Sequence, residues 1–187
     1  MPMPLHSETF FCFRYDDVLS RAFRGKEDDY WALTNQAQDY IKEEWHGYLP
    51  PSMCLIVPLP PHLAGPNNPW KARFIAMLPT MRVPESVAWH RDLVYNGMWS
   101  LQVAVKRWNK ENPNEAPIKR VVMTGLATGF GEIPQEKCAT QMILSVHHFR
   151  KPVPERPRWG VVVERENEVV DTVNLDKNNS YLSDNAV

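Results

Sequence analysis

Apolar residues recur every three or four positions in two long segments, which is the spacing of an amphipathic helix. The first segment covers 27–45, where glycine and two prolines in "HGYLPP" end the pattern. The second ends near Pro113, because proline cannot continue a helix. One face of this second helix is predicted to carry five apolar side chains, Val94, Met98, Leu101, Val105 and Trp108.

Three short apolar runs between turn residues predict strands. They are "CLIVPLP", "ARFIAML" and "IKRVVMTG", and the last is rich in β-branched residues. Pro134 then fits the start of a third helix, with Cys138, Met142, Ile143 and Val146 on one side. Strands that alternate with helices indicate a layered α/β domain whose sheet is covered on both faces.

The amino-acid composition of the chain changes after Arg150. Three prolines follow closely, and the segment "WGVVVERENEVV" predicts an edge hairpin before a flexible polar tail. We therefore expect an α/β domain over 1–150 and a C-terminal extension over 151–187. Just before Arg150, His147 and His148 lie near the end of the third predicted helix. They are predicted to interact with the helix terminus or to be exposed.

Composition narrows the classes of partner. With 43% hydrophobic residues, 23% charged residues and a net charge of −1, the 187-residue chain resembles an ordinary globular protein and gives no sign of binding nucleic acid or a membrane surface. Its three cysteines stand far apart and form no CxxC motif, which favours a reducing compartment, cytoplasmic or nuclear. No metal site and no cofactor are predicted, because the histidines and cysteines lack ligand spacing.

The stretch "VVMTGLATGFGEIPQ" places three of the eight glycines within seven residues, at Gly125, Gly129 and Gly131. Backbone amides at the start of a helix attract anions, and glycine lets the chain close around a phosphate. The hydroxyls of Thr124 and Thr128 add two potential donors. The spacing matches neither a P-loop nor a Rossmann fingerprint, so a phosphate site and a tight structural turn both remain open.

Several motifs together resemble the macro domain family, in particular its macro-domain-like branch in fungi and phages. They are "LPTMRVPESV", "VYNGMWSL", and "GLATGFG" ahead of "ATQM", and the resemblance runs from about Asp16 to Phe149. It implies a three-layer α/β/α sandwich with a mixed sheet that binds ADP-ribose, a related nucleotide diphosphate or an ADP-ribosylated protein. The ligand-binding residues that it implies are Thr124, Gly125, Leu126, Ala127, Thr128, Gly129, Phe130 and Gly131.

The segment that resembles the family's other ligand loop departs from the pattern. In "FCFRYDDVLS", Asp16 matches the aspartate that helps to activate water, which implies a catalytic role, although a helix N-cap or an acid in the first turn of a helix is the simpler interpretation. Cys12, Phe13 and Arg14 replace the glycine run, and no asparagine precedes them. The fifteen residues before Asp16 hold at most two short strands, which leaves open whether the sandwich has its first strands.

Three functions therefore remain open. The chain is predicted to bind ADP-ribose weakly through the glycine-rich loop. Alternatively, it is a degenerate interaction or structural module without a ligand. The third alternative is an ADP-ribosyl hydrolase or an O-acetyl-ADP-ribose deacetylase.

Overall fold

The computed structural model describes residues 15–115, 117–156 and 158–183, with the backbone alone at 15, 16 and 174–183. Five α-helices and two strands occur in this part of the chain. The helices are α1 (Tyr15–Ala22), α2 (Ala32–Trp45), α3 (Leu93–Glu111), α4 (Gln135–Arg150) and α5 (Trp159–Ser183). The strands are β1 (Leu55–Pro58) and β2 (Phe74–Met77), with a 3₁₀ turn at Gly65–Asn67 between them.

The two strands pair antiparallel, with Leu55 opposite Met77 and Pro58 opposite Phe74. Side chains of successive residues in β1 point to opposite faces. Leu55 and Val57 therefore pack in one buried cluster with α2, while Ile56 packs in another with α3. The small sheet is thus covered on both faces, as the sequence pattern predicted.

The two predicted long helices are confirmed, although α2 begins at Ala32 rather than at 27. Its buried residues Leu33, Ala37 and Ile41 lie four apart along the helix, which is why one side faces the sheet. Helix α3 ends at Glu111, before Pro113. The prediction for α4 is right in position, but Ile143 is 70% exposed and does not belong to its packed side.

The third predicted strand, "IKRVVMTG", is wrong. Residues 118–125 have no regular secondary structure, and Val122 is 78% exposed. In place of a neighbouring strand, Asn109 on α3 pairs with this segment: its side chain donates to the Ile118 carbonyl and accepts from the Ile118 amide at 3.0 and 2.8 Å. The Asn109 side chain thus satisfies the backbone of Ile118 without a strand, and the high β-propensity of Val121 and Val122 did not produce one.

The predicted C-terminal hairpin is also wrong, because this segment forms α5. Val169 and Thr172, three residues apart on one side of α5, are buried at 3% exposure. The Thr172 hydroxyl accepts a hydrogen bond from Gln141 of α4, which fixes α5 against α4. The predicted flexible tail falls on residues whose side chains, and from 184 onward whose backbone, lie outside the described residues.

Helices together with a small two-stranded sheet are compatible with a mixed α/β class. The sheet has two strands within the described residues, so the three-layer sandwich of a macro domain is not confirmed. The boundary at 150 between a domain and an extension stays a prediction.

Candidate functional site

The glycine-rich loop, Thr124 to Gly131, lies between the irregular segment 117–123 and the start of α4. Two hydrogen bonds close it: the Ile133 amide donates to the Ala127 carbonyl, and the Glu132 amide donates to the Gly129 carbonyl, both at 3.0 Å. Ala127 and Glu132 adopt left-handed conformations, with φ of 57° and 54°. The three glycines of the loop do not show positive φ, so the backbone angles do not explain them.

Packing explains two of these glycines. A Cβ at Gly131 would lie 2.6 Å from the Ala127 carbonyl oxygen and 3.0 Å from a methyl of Val87. A Cβ at Gly125 would lie 3.0 Å from the Thr128 methyl and 3.5 Å from the Cys138 sulfur. The close approach that the sequence indicated is therefore made by the protein's own atoms at these two positions.

One side of the loop is open to solvent. The exposed residues are Thr124, Gly125, Gly129 and Phe130. The side chain of Phe130 is 49% exposed to solvent. Among the residues that the structure describes, none accepts a hydrogen bond from the amides of Gly129, Phe130 and Gly131. The Thr128 hydroxyl donates to the Gly125 carbonyl at 3.3 Å, so it is already engaged. The loop thus offers the amides of the exposed residues Gly129 and Phe130 and the Thr124 hydroxyl, whereas Gly131 is buried.

Two of the motifs that carried the resemblance, "LPTMRVPESV" and "GLATGFG", contact each other in the fold. The Val87 amide, at the end of "LPTMRVPESV", donates to the Gly131 carbonyl at 3.0 Å. Val87 also packs in one buried cluster with Ile133 and Cys138. The buried Lys137 adds a polar connection, since its ammonium donates to the His90 carbonyl at 3.2 Å and to the Ala88 carbonyl at 3.5 Å. The segment before α3 therefore supports the glycine-rich loop.

Asp16 lies in α1, but its side chain lies outside the described residues, so its predicted catalytic role stays a prediction. The neighbouring carboxylate, Asp17, accepts hydrogen bonds from Arg21 at 2.8 Å and from the Tyr30 hydroxyl at 3.1 Å. The hydrogen bond from Arg21 lowers the pKa of Asp17. Cys12, Phe13 and Arg14 lie outside the described residues as well.

A buried polar seam on α4 was not anticipated from the sequence. We use this name for Gln141, Ser145 and His148 of α4 with Tyr95 of α3 and Thr172 of α5. Gln141 is fully buried; its amide group donates to the Arg91 carbonyl at 2.7 Å and to the Thr172 hydroxyl at 2.9 Å. Its carbonyl oxygen accepts from the Tyr95 amide at 3.3 Å, which satisfies a donor in the first turn of α3.

The same seam contains a chain of three titratable groups. The Tyr95 hydroxyl lies 3.0 Å from His148 Nδ1, and His148 Nε2 lies 2.8 Å from Glu168 Oε2. Burial raises the pKa of Tyr95, and the hydrogen bond from His148 lowers the pKa of Glu168. His148 is 2% exposed, so the prediction that its side chain is exposed is wrong, while its place in the last turn of α4 agrees with the alternative of an interaction with the helix terminus. These groups connect three helices.

The described thiols are unsuited to nucleophilic chemistry. Burial raises the pKa of Cys54 to about 12 and also raises that of Cys138, whose sulfur donates to the Leu126 carbonyl at 3.4 Å. The expectation that Cys138 is a core residue is confirmed. In the described ranges, no group of three His, Cys, Asp or Glu side chains is placed to hold a metal ion. None of the described helices is long and apolar enough to cross a membrane.

Compared with protein-family models, curated proteins and solved structures, the chain shows no significant similarity to any of them. The resemblance to macro domains therefore depends on the motifs quoted above.

Proposed function

We propose that the protein is a macro-domain-like binder of ADP-ribose, or of a related nucleotide diphosphate, that uses Thr124 to Gly131 as its diphosphate loop. The observation that carries the proposal is the pair of amides at the exposed residues Gly129 and Phe130, which have no acceptor among the described residues. Successive free amides form a concavity for anions. The order α2, sheet, α3 is the basis for the further proposal of a reduced α/β/α sandwich.

The expected affinity is low. Hydrogen bonds to a charged group contribute about 1.5–3 kcal/mol each, and association costs at least about 4 kcal/mol, so two amides and the Thr124 hydroxyl support binding at best in about the millimolar range. His148 and the thiols of Cys54 and Cys138 are buried, and the side chain of Asp16 is not described. The proposal is therefore a binding function, for ADP-ribose or an ADP-ribosylated protein, without a reaction.

Titration of the protein with ADP-ribose up to millimolar concentration, followed by calorimetry and by amide NMR shifts, tests this proposal. Gly129→Glu places a carboxylate in the open side of the loop and is expected to abolish binding by charge repulsion. Gly160→Glu is the matched control, because Gly160 lies on α5 and a Cβ added to it would meet no atom within 4 Å. Equal binding by both variants would contradict the loop as the site.

A second candidate function, an interaction or structural module without a ligand, is favoured by one observation. The Cβ positions of Gly125 and Gly131 are filled by Thr128, Ala127 and Val87, so a tight internal turn accounts for these glycines without any ligand. Absence of heat and of shifts at millimolar ADP-ribose, with the fold intact by circular dichroism, would favour this candidate.

A further inference from the structure

A groove of about 600 Å³ lies between the end of α1 and the segment around the 3₁₀ turn. Arg21, Arg24 and Lys26 line one wall, and His62 and Asn67 line the other. The walls approach closely at Gly25, whose φ is +67° and whose Cβ position is only 2.8 Å from a methyl of Leu63. Gly25 therefore brings the basic turn against the opposite wall, which a residue with a side chain would obstruct.

The two arginines of the groove are held in place with donors to spare. Arg21 uses its Nε to bind Asp17 at 2.8 Å, and Arg24 uses one Nη to bind Asp28 at 3.0 Å. Arg24 also lies over the Tyr30 ring, 5.4 Å from its centroid. A guanidinium has five N–H donors, so both arginines retain donors after these contacts. The carboxylates orient the arginines and leave part of each available to a ligand.

Two further groups of the groove are uncommitted. Lys26 and His62 are exposed, and neither makes a hydrogen bond or an ion pair with any residue that the structure describes. The groove therefore combines two preoriented arginines with an open ammonium and an imidazole on the facing wall. Asp28 contributes a negative charge to the lining of the groove.

We propose that this groove binds a small molecule that carries several phosphate groups in a row. A single phosphate does not fill a space of this volume, whereas pockets of about 300–1,000 Å³ suit drug-sized ligands. Arginine forks match phosphate oxygens bidentately, and the lysine supplies a point charge. This site is separate from the glycine-rich loop and does not depend on the function proposed for it.

Binding of sodium tripolyphosphate, measured by calorimetry at about 50 mM salt, is the test, because the Debye length there keeps charge effects measurable. The affinities for ATP and for AMP are measured in the same way and compared with that for tripolyphosphate. We expect tripolyphosphate and ATP to bind alike and AMP to bind at least about tenfold more weakly, because AMP lacks the row of charges. Binding of all three probes equally would overturn the proposal.

Two variants are expected to change the affinity for tripolyphosphate in opposite directions. Lys26→Glu reverses a charge in the groove and is expected to weaken tripolyphosphate binding about tenfold, while Lys42→Glu on α2 makes the same change in net charge elsewhere and is the control. Asp28→Asn removes the negative charge but keeps an oxygen that can accept the hydrogen bond from Arg24, so binding is expected to strengthen about threefold. Asparagine tolerates the positive φ of 55° at this position.

The glycine-rich loop provides the remaining comparison. The titrations are repeated in a Gly129→Glu background, in which the loop no longer binds anions, and Lys26→Glu is expected to weaken tripolyphosphate binding there about tenfold as well. Loss of binding in Gly129→Glu together with no change in Lys26→Glu would assign the phosphates to the loop and overturn the groove. Absence of binding by the unmodified protein at millimolar tripolyphosphate would overturn it as well.

Discussion

The side-chain amide of Gln141 donates a hydrogen bond to the hydroxyl of Thr172 at a distance of 2.9 Å, and both side chains are buried. Gln141 also binds the Arg91 carbonyl and the Tyr95 amide. One residue of α4 therefore holds α5, the start of α3 and the segment before it.

Replacement of Gln141 by methionine keeps the length of the side chain but removes its hydrogen bonds. We expect the free energy of unfolding to fall by about 2–4 kcal/mol, since buried groups without a partner cost about 1–3 kcal/mol each. Urea unfolding followed by circular dichroism measures this change. Gln38→Met on the exposed side of α2 is the control, with an expected change within about 0.5 kcal/mol. A similarly small change for Gln141→Met would show that the hydrogen bonds of Gln141 in the buried polar seam contribute little to the free energy of unfolding.

Glu168 makes stability depend on pH in a defined direction. Its pKa in the folded protein is lowered from the ordinary value of 4.5, chiefly by the hydrogen bond from His148. A lowered pKa means that the contribution is fully present above pH 4.5 and is lost as the pH falls through the folded pKa. Glu168→Gln should therefore be less stable than the unmodified protein at pH 7, and the difference should shrink below pH 4.5.

Urea unfolding at several pH values provides this measurement. Glu164→Gln, an exposed substitution on the same helix, is expected to show no such dependence. If the difference in stability between Glu168→Gln and the unmodified protein stayed constant from pH 7 to acid pH, the proposed link between Glu168 protonation and stability would be contradicted.

The two buried thiols should resist alkylation. Burial raises the pKa of Cys54 to about 12 and raises that of Cys138, so the reactive thiolate is scarce at pH 8. In a Cys12→Ser background, iodoacetamide is expected to modify both positions only after urea unfolds the protein. Mass spectrometry of the alkylated peptides measures this. Rapid modification of Cys138 in the folded protein would show that the start of α4 opens readily.

Gly131→Ala tests the internal packing of the glycine-rich loop. The added methyl would lie 2.6 Å from the Ala127 carbonyl oxygen, a backbone atom that cannot rotate away. We expect a loss of about 1–3 kcal/mol in the free energy of unfolding. Gly160→Ala, with open space around it in α5, should be neutral or stabilising by up to about 1 kcal/mol. Equal effects of the two substitutions would contradict a packing role for Gly131.

Helical periodicity was the most reliable signal in the sequence. Leu33, Ala37 and Ile41 of α2 pack as their spacing predicted, because a single apolar side of the helix faces the sheet. Strand propensity was less reliable. Val121 and Val122 favour a strand, yet they pair with neither of the two strands that the described residues form.

The error at α5 explains why the polar seam was missed. Residues 141, 145 and 148 lie on one side of α4 at helical spacing, but polar residues at this spacing ordinarily indicate a solvated face. They are buried because α5 covers them, and a hairpin was predicted in place of α5. The polar character of one helix can be interpreted correctly only when its neighbour is known.

The C-terminal end of the glycine-rich loop and the start of α4 are tied to the segment before α3, through the Val87 amide to the Gly131 carbonyl and through the Lys137 ammonium to the His90 carbonyl. We therefore expect this end of the loop to stay in place when a ligand binds. A ligand that enters must match a rigid receptor, so complex formation should leave the backbone unmoved and its rate should follow diffusional encounter.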